Sequence, residues 1–324
     1  MKEAIALKET IESHILSMNL GERKPANLYA PMQYILALKG KRIRPILTLL
    51  AYEAAGGKDV EKALNLASSV ELFHNFTLMH DDIMDRAPVR RGQPSVHIKW
   101  DENIAILSGD ALFAFSMGLV VEDFPDKAAI LATEFTRVAM GVCEGQMEDL
   151  DLAQTTAVDV PAYIEMIRKK TAVLLGGCLS MGALAAGASA DLADEMRQYG
   201  EYLGIAFQLQ DDLMDAFPPE GFGKQQGGDI IENKKTYLYL RALETASTDQ
   251  RKRLEELFSQ DGEDQQAKVK EVLEIFEECG VKSDTQDLIE EYFQKAVSLS
   301  GSLSGKISMN SLQEYLGVIS KRKV

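Results

Sequence analysis

Residues 71–85 read ELFHNFTLMHDDIMD and residues 207–215 read FQLQDDLMD. Each is an apolar run with helical spacing that closes on DDxxD. Each is followed by helix breakers, RAPVRRGQPSV at 86–96 and FPPEGFGKQQGGD at 217–229. On a helix, positions i and i+4 share a face, so Asp81 points with Asp85 and Asp211 with Asp215. Three carboxylates within five residues repel one another, and a helix C-terminus, the negative end of the dipole, is a poor place for them. A single such cluster reads as a solvated acidic helix end. Two identical clusters at two such ends, each on an apolar helix, favour a shared purpose. Hard divalent cations relieve the repulsion. Mg²⁺ suits the pattern because it takes few carboxylates and fills its remaining positions with water and phosphate oxygens.

Outward from these runs the same periodicity recurs. Helices are expected over 2–18, 25–39, 43–55, 60–85, 101–122, 127–148, 160–188, 191–216 and 232–246, and further ones over 249–259, 264–279, 283–300 and 308–321. No run alternates like a strand. No repeat, low-complexity tract or linker divides the chain, so 1–324 is read as a single all-α domain.

Composition narrows the function. Apolar residues make up 46% of the 324, enough for a substantial core. Fifty Asp and Glu against 35 Lys and Arg give a net charge of −15, which argues against a general nucleic-acid surface. Cys143, Cys178 and Cys279 are far apart and form no CxxC, as expected in a reducing, cytoplasmic setting. The start, MKEAIALKETIESH, has no apolar core of a secretory signal. Residues 171–190 carry no charge and are long enough to span a bilayer. More than half of them are Ala, Gly or Ser, which reads as a tightly packed interior helix and not a membrane span.

In so acidic a chain the small basic groups stand out: Lys41, Arg42 and Arg44; Arg90 and Arg91; Lys169 and Lys170; Lys224; Lys234 and Lys235. Each alone reads as solvated charge. Beside two carboxylate clusters they point to two polyphosphate ligands, one held through metal and one directly by Arg and Lys.

The ordered set GKRIRP (40–45), HNFTLMHDDIMD (74–85), RRGQPSVH (90–97), GQMED (145–149), KKT (169–171), FQLQDDLMD (207–215) and GKQQGGDIIENKKTYL (223–238) resembles the trans-isoprenyl diphosphate synthases, the polyprenyl synthetase family. The likeness covers residues from about 38 to 240; the C-terminal third carries no diagnostic motif. It implies an isoprenoid-synthase-like helical bundle around a deep central cavity, working as a homodimer. The implied reaction is head-to-tail condensation of isopentenyl diphosphate with an allylic diphosphate. The allylic diphosphate would sit on Mg²⁺, three ions with substrate bound, bridging the two clusters. The resemblance makes Asp81, Asp85 and Asp211 the metal ligands and gives Asp82 and Asp215 outer positions. Arg90, Lys170, Lys224 and Lys234 would face the allylic diphosphate, and Lys41, Arg44, His74 and Arg91 would hold isopentenyl diphosphate. Thr171 and Gln208 would turn oxygens toward the developing carbocation, with Gln146 and Asp149 near the first cluster.

Charge development explains these residue types. As diphosphate leaves an allylic carbon, negative charge grows on oxygen and a cation forms on carbon, so fixed cations and metal stabilise departure. The released diphosphate is the expected base for the last proton. Water would quench the cation, so the site must close, and the two breaker-rich loops are suited to that.

Three rivals remain at this stage. Glu71–His74 is an ExxH of the kind found in di-iron bundles, though none of the other three histidines has Glu three residues before it. A class I terpene cyclase also uses DDxxD, and a catalytically silent partner subunit could keep the fold. His14, His80 and His97 read as structural. For product length, Thr77 stands four residues before Asp81, Phe76 five and Phe73 eight. An aromatic at −5 without one at −4 resembles geranylgeranyl synthases and implies a C15–C20 product, C20 favoured. On an ideal wheel, however, Phe76 lies about 140° from Asp81.

Overall fold

The computed structural model describes residues 2–155, 158–219, 226–259 and 264–320. In chain order the helices are α1 (Lys2–Ser17), α2 (Ala26–Ala37), α3 (Ile43–Ala54), α4 (Leu64–Met84), α5 (Val96–Lys99), α6 (Glu102–Glu122), α7 (Ala128–Gln154) and α8 (Val160–Ile167). They continue with α9 (Val173–Ala186), α10 (Ala190–Ala216), α11 (Gly228–Ile231), α12 (Tyr237–Thr245), α13 (Thr248–Ser259), α14 (Gln265–Glu278), α15 (Val281–Ser304) and α16 (Asn310–Ser320). The all-α expectation holds, with two local differences. Strands β1 (Val89–Arg90) and β2 (Gln93–Pro94) pair antiparallel inside the first breaker-rich loop; two residues each are too few to alternate visibly. The expected helix over 160–188 is interrupted by a π-helical turn, Arg168–Ala172.

The described residues fall into two compact units built from interleaved stretches. The first holds the chain up to Arg137 with Gly177–Met196 and Leu303–Leu316. The second holds Val138–Gly176, Arg197–Ser302 and the residues from Gly317 on.

The first unit is organised on α4. Leu66, Val70, Leu72 and Phe73 are fully buried, and so are the polar Ser68, Ser69 and Asn75. A helix buried nearly all round belongs in a core and shows little amphipathic signal. Helices α6, α3, α1 and α2 pack on it. Helix α6 starts where Asp101 accepts from the Ile104 N–H at 2.8 Å. Its 21 residues, with a mean hydropathy of 2.0 over the most apolar 18, would suffice to cross a membrane by length and composition. It packs on α4 and α2 with Ala105, Leu112 and Val120 wholly buried, and leaves Ile106 and Leu107 exposed. The part of the uncharged stretch that belongs to this unit is also interior: Cys178, Leu179, Met181 and Ala183 are fully buried. Its small residues have a steric cause. A β-carbon at Gly182 would lie 2.3 Å from the Thr48 carbonyl oxygen of α3.

The second unit is centred on the last turns of α10, where Leu209 and Leu213 are fully buried against Tyr163 and Ile167 of α8, Leu238 of α12, Leu254 of α13 and Phe276 of α14. The two DDxxD segments occupy the helix ends that the sequence assigns them. Asp85 is the C-cap of α4, and Asp211–Asp215 lie in the last turns of α10.

Candidate active site

In the first unit, Asp81 is half-buried, Asp82 buried and Asp85 exposed. Alternation of burial along one helical turn separates their roles. Asp82 Oδ1 accepts from Arg90 Nε at 2.9 Å and from its Nη2. Asp82 therefore anchors the loop that carries Arg90 and Arg91, while Asp81 and Asp85 line the i, i+4 face.

Two more arginines, Arg44 and Arg91, gather near His74, two turns before Asp81 on α4. Arg44 Nη1 lies 3.2 Å from His74 Nε2, and Arg91 Nη1 donates to the Leu38 carbonyl at 3.3 Å. Arg44 is always protonated, so Nε2 is the acceptor and the ring proton belongs on Nδ1. Burial, followed by the charges of Arg44, Arg91, Arg90 and Arg42, holds the His74 pKa well below its ordinary value. The ring is neutral at neutral pH. Its folded pKa lies below its unfolded one, so below about pH 6.5 the unfolded chain takes up a proton that the folded chain refuses. Stability is therefore lost as pH falls through that value. In urea titrations of the ligand-free protein, the drop from pH 7.5 to 5.5 should be smaller in His74→Gln by on the order of 1 kcal/mol. An identical drop in both would show that His74 titrates normally.

In the second unit, a pocket is lined by Asp149, Tyr163, Lys170, Thr171, Gln208, Asp212, Asp229 and Lys234. The π-turn builds it. The extra residue in one turn shifts the helical register, a device often found at functional sites. Lys169 then pairs with Glu148, while Lys170 turns to Asp149 at 2.6 Å and Thr171 to Gln208 at 3.0 Å. Close approach of α7 makes this possible: a β-carbon at Gly145 would lie 2.2 Å from the Lys170 backbone nitrogen.

Thr171 Oγ1 donates to Gln208 Oε1, and Gln208 Nε2 donates to Asp212 Oδ1 at 3.0 Å. Tyr163 donates to Asp212 Oδ2. Asp212 Oδ1 takes the amino end of the Gln208 amide, which leaves the carbonyl end toward Thr171. Burial pushes Asp212 up to about 7, with the Asp229 charge adding to the rise and the Tyr163 and Gln208 bonds opposing it. Asp215 takes no part in that chain. Its Oδ2 accepts from the Asp229 N–H at 2.9 Å and its carbonyl from the Gly227 N–H at 2.8 Å, tying α10 to the return of the second loop. Lys234 pairs with Glu232 at 2.7 Å and lies 3.5 Å from Asp229.

Of the residues singled out in the sequence, the first unit gathers Arg44, His74 and Arg91, and the second gathers Lys170, Thr171, Gln208 and Lys234. Lys41 is exposed at the start of the same turn as Arg44, and Asp211 is exposed on α10. Lys224 lies outside the described residues. Arg90 reaches Asp82, and Lys170 and Lys234 each hold a carboxylate partner. His14 and His80 have structural partners, Asn65 Oδ1 at 2.8 Å and the Ile106 carbonyl at 3.2 Å. Tyr163 and the role of Asp212 were not legible in the sequence. They are 49 residues apart, and no spacing rule joins them.

The metal can be tested against the donors. Among the described residues, no group of three or more His, Cys, Asp or Glu forms a cage. The first cluster offers Asp81 and Asp85 on one face, all hard oxygen. That donor set fits Mg²⁺, which binds through one or two carboxylates with phosphate and water completing its shell.

The polyprenyl synthetase family model matches residues 25–276. A geranylgeranyl diphosphate synthase of Methanosarcina mazei is 42% identical over 224 residues, 68% of this chain and 69% of its own. A geranylgeranyl pyrophosphate synthase of Geoglobus acetivorans is 34% identical over 306 residues, 94% and 93% of the two chains. A crystal structure of a geranylgeranyl pyrophosphate synthase superposes with a TM-score of 0.90 at 44% identity, covering 97% of this chain and 96% of that one. The fold and these matches define a short-chain trans-prenyltransferase with the all-α isoprenoid synthase fold. The chain belongs to the polyprenyl synthetase family.

Proposed function

We propose that this prenyltransferase extends dimethylallyl, geranyl or farnesyl diphosphate with isopentenyl diphosphate to an all-trans C20 product, with C15 as the neighbouring alternative. The observation that carries this reading is the Thr171–Gln208–Asp212 chain in a pocket that also holds Lys170 and Lys234. In this reading the cations serve a departing diphosphate and the neighbouring Thr171 and Gln208 oxygens a nascent carbocation, the two things that ionisation of an allylic diphosphate requires. Asp81, Asp85 and Asp211 are the residues to hold Mg²⁺, three ions with substrate bound; the metal, when bound, supplies charge stabilisation to the leaving group. Lys41, Arg44, His74 and Arg91 bind the diphosphate of isopentenyl diphosphate, the neutral imidazole contributing a hydrogen bond and the arginines charge. Lys170, Lys234, Arg90 and Lys224 serve the allylic diphosphate; Lys170 and Lys234 exchange carboxylate partners for phosphate on binding, while Arg90 stays anchored on Asp82.

The terpene cyclase and silent-subunit readings are not favoured, because the relatives are named as synthases. The same proposal takes 1–324 as one functional domain acting as a cytoplasmic homodimer. Three unpaired cysteines support the reducing compartment. Ile106 and Leu107, 38% and 61% exposed, leave an apolar step on α6 that a second copy would cover. Incubation with Mg²⁺, isopentenyl diphosphate and each allylic starter, with products weighed by mass spectrometry, tests the reaction. C20 should dominate from every starter accepted. Diphosphate release without isopentenyl diphosphate, or a cyclic hydrocarbon, would overturn it.

A further inference from the structure

Glu71 lies on the core helix α4 and is 2% exposed. A carboxylate buried that deeply is costly unless it is paired and hydrogen-bonded. Its partner is Arg42, itself 5% exposed, whose Nη1 donates to Glu71 Oε1 at 2.6 Å. The rest of the guanidinium is also engaged. Nη2 donates to the carbonyls of Leu36 at 2.7 Å and Leu38 at 3.0 Å, and Nε donates to Glu12 Oε1 at 3.2 Å. Asn75 completes the cluster, its Nδ2 donating to the Glu71 carbonyl at 2.7 Å and to Oε1 at 3.1 Å.

The backbone at Arg42 carries a cost as well. Its φ of 53° and ψ of 37° lie in the left-handed region, where a residue with a β-carbon is strained. Such a conformation persists when surrounding contacts over-determine it, and the buried guanidinium supplies them. The strained residue sits between two cations. Lys41 precedes it, and Arg44 follows two residues later, with Nη1 3.2 Å from His74 Nε2. Glu71 and His74 are i and i+3 on α4, so one helix face grips the turn twice, at Arg42 and at Arg44. Arg91 reaches the same turn through the Leu38 carbonyl. The ExxH that resembles half of a di-iron site thus has another occupant, since Glu71 is consumed by Arg42 and Asn75.

We infer that the buried Arg42–Glu71 pair is the positioning device of the isopentenyl diphosphate subsite: it fixes the turn that presents Lys41 and Arg44 against His74, without touching substrate. This rests on the assignment of that subsite under the proposed function. A displaced cation matters more to affinity than to folding, because charge-assisted bonds to phosphate need fixed geometry.

The test separates the two statements. Glu71→Gln keeps the shape and removes the charge. It should raise KM for isopentenyl diphosphate by roughly tenfold to a hundredfold and shift KM for the allylic diphosphate less than about twofold. Arg42→Lys should give the same split, since an ammonium cannot reproduce a fork that serves Glu71, Glu12 and two carbonyls. Arg44→Gln is the reference. If it leaves KM for isopentenyl diphosphate unchanged, the subsite assignment falls and the inference falls with it. If Arg44→Gln raises that KM while folded Glu71→Gln leaves it alone, or raises both KM values equally, the subsite stands and the positioning role is overturned. Should Glu71→Gln not fold, Asn75→Ala keeps the ion pair and removes one bond to it; a smaller rise confined to isopentenyl diphosphate supports the inference, and no rise or an equal rise in both refutes it.

Discussion

Replacing Asp81 by alanine should lower turnover by about three or more orders of magnitude, because stabilising the leaving diphosphate supplies several kcal/mol of the barrier reduction. The fold should be untouched. Asp81 is half-buried at the negative end of α4, where the helix dipole disfavours a carboxylate. Asp82→Ala should behave differently. Asp82 is 1% exposed and takes two N–H groups of Arg90, so its removal strands a cation and loosens the loop. Its thermal midpoint should fall with its activity, whereas that of Asp81→Ala should not. Steady-state diphosphate release and circular-dichroism melts read both quantities. Near-normal turnover in Asp81→Ala would remove the residue from the site, and a melting loss as large as that of Asp82→Ala would make its role structural.

Phe73→Ala should cost about 3–5 kcal/mol of stability, the usual range for a large aromatic truncated in a core. Phe73 is fully buried, with ring centroids 5.6 Å from Phe76, 5.9 Å from Phe113 and 5.3 Å from Phe135. Phe76 is only partly buried and packs on Phe113 at 5.3 Å and edge-on to His80 at 4.7 Å. Truncating it removes less buried surface, so Phe76→Ala should remain well folded and lengthen the product by one or more five-carbon units. Thr77, small and bonded through its hydroxyl to the His74 carbonyl at 2.8 Å, offers no comparable bulk. Urea unfolding and product mass spectrometry read the two variants. Longer products from Phe73→Ala alone would make the deeper ring the floor, and unchanged products from both would place the limit outside this cluster.

The wheel difficulty at Phe76 shows where sequence reasoning stops. An angle on one helix says which residues share a face. It does not say which neighbour that face meets. The wheel turns Phe76 away from Asp81, and α6 brings Phe113 to meet it there, a fact held in the packing of two helices.

Local pattern determined a great deal. Helical periodicity gave all-α; i, i+4 spacing paired Asp81 with Asp85; Pro and Gly ended both helices; small residues over 171–190 implied close packing. All of these depend on groups within a turn or two of one another, which is the range over which spacing along a chain fixes spacing in space. Tertiary structure decided the rest. The π-turn that parts Lys169 from Lys170 depends on the approach of α7 at Gly145. Tyr163 meets Asp212 across 49 positions, and Arg42 meets Glu71 across 29. A buried polar group must find a partner wherever the fold brings one. The need for a partner can be read from burial, but its identity depends on contacts between helices that no short window of sequence contains.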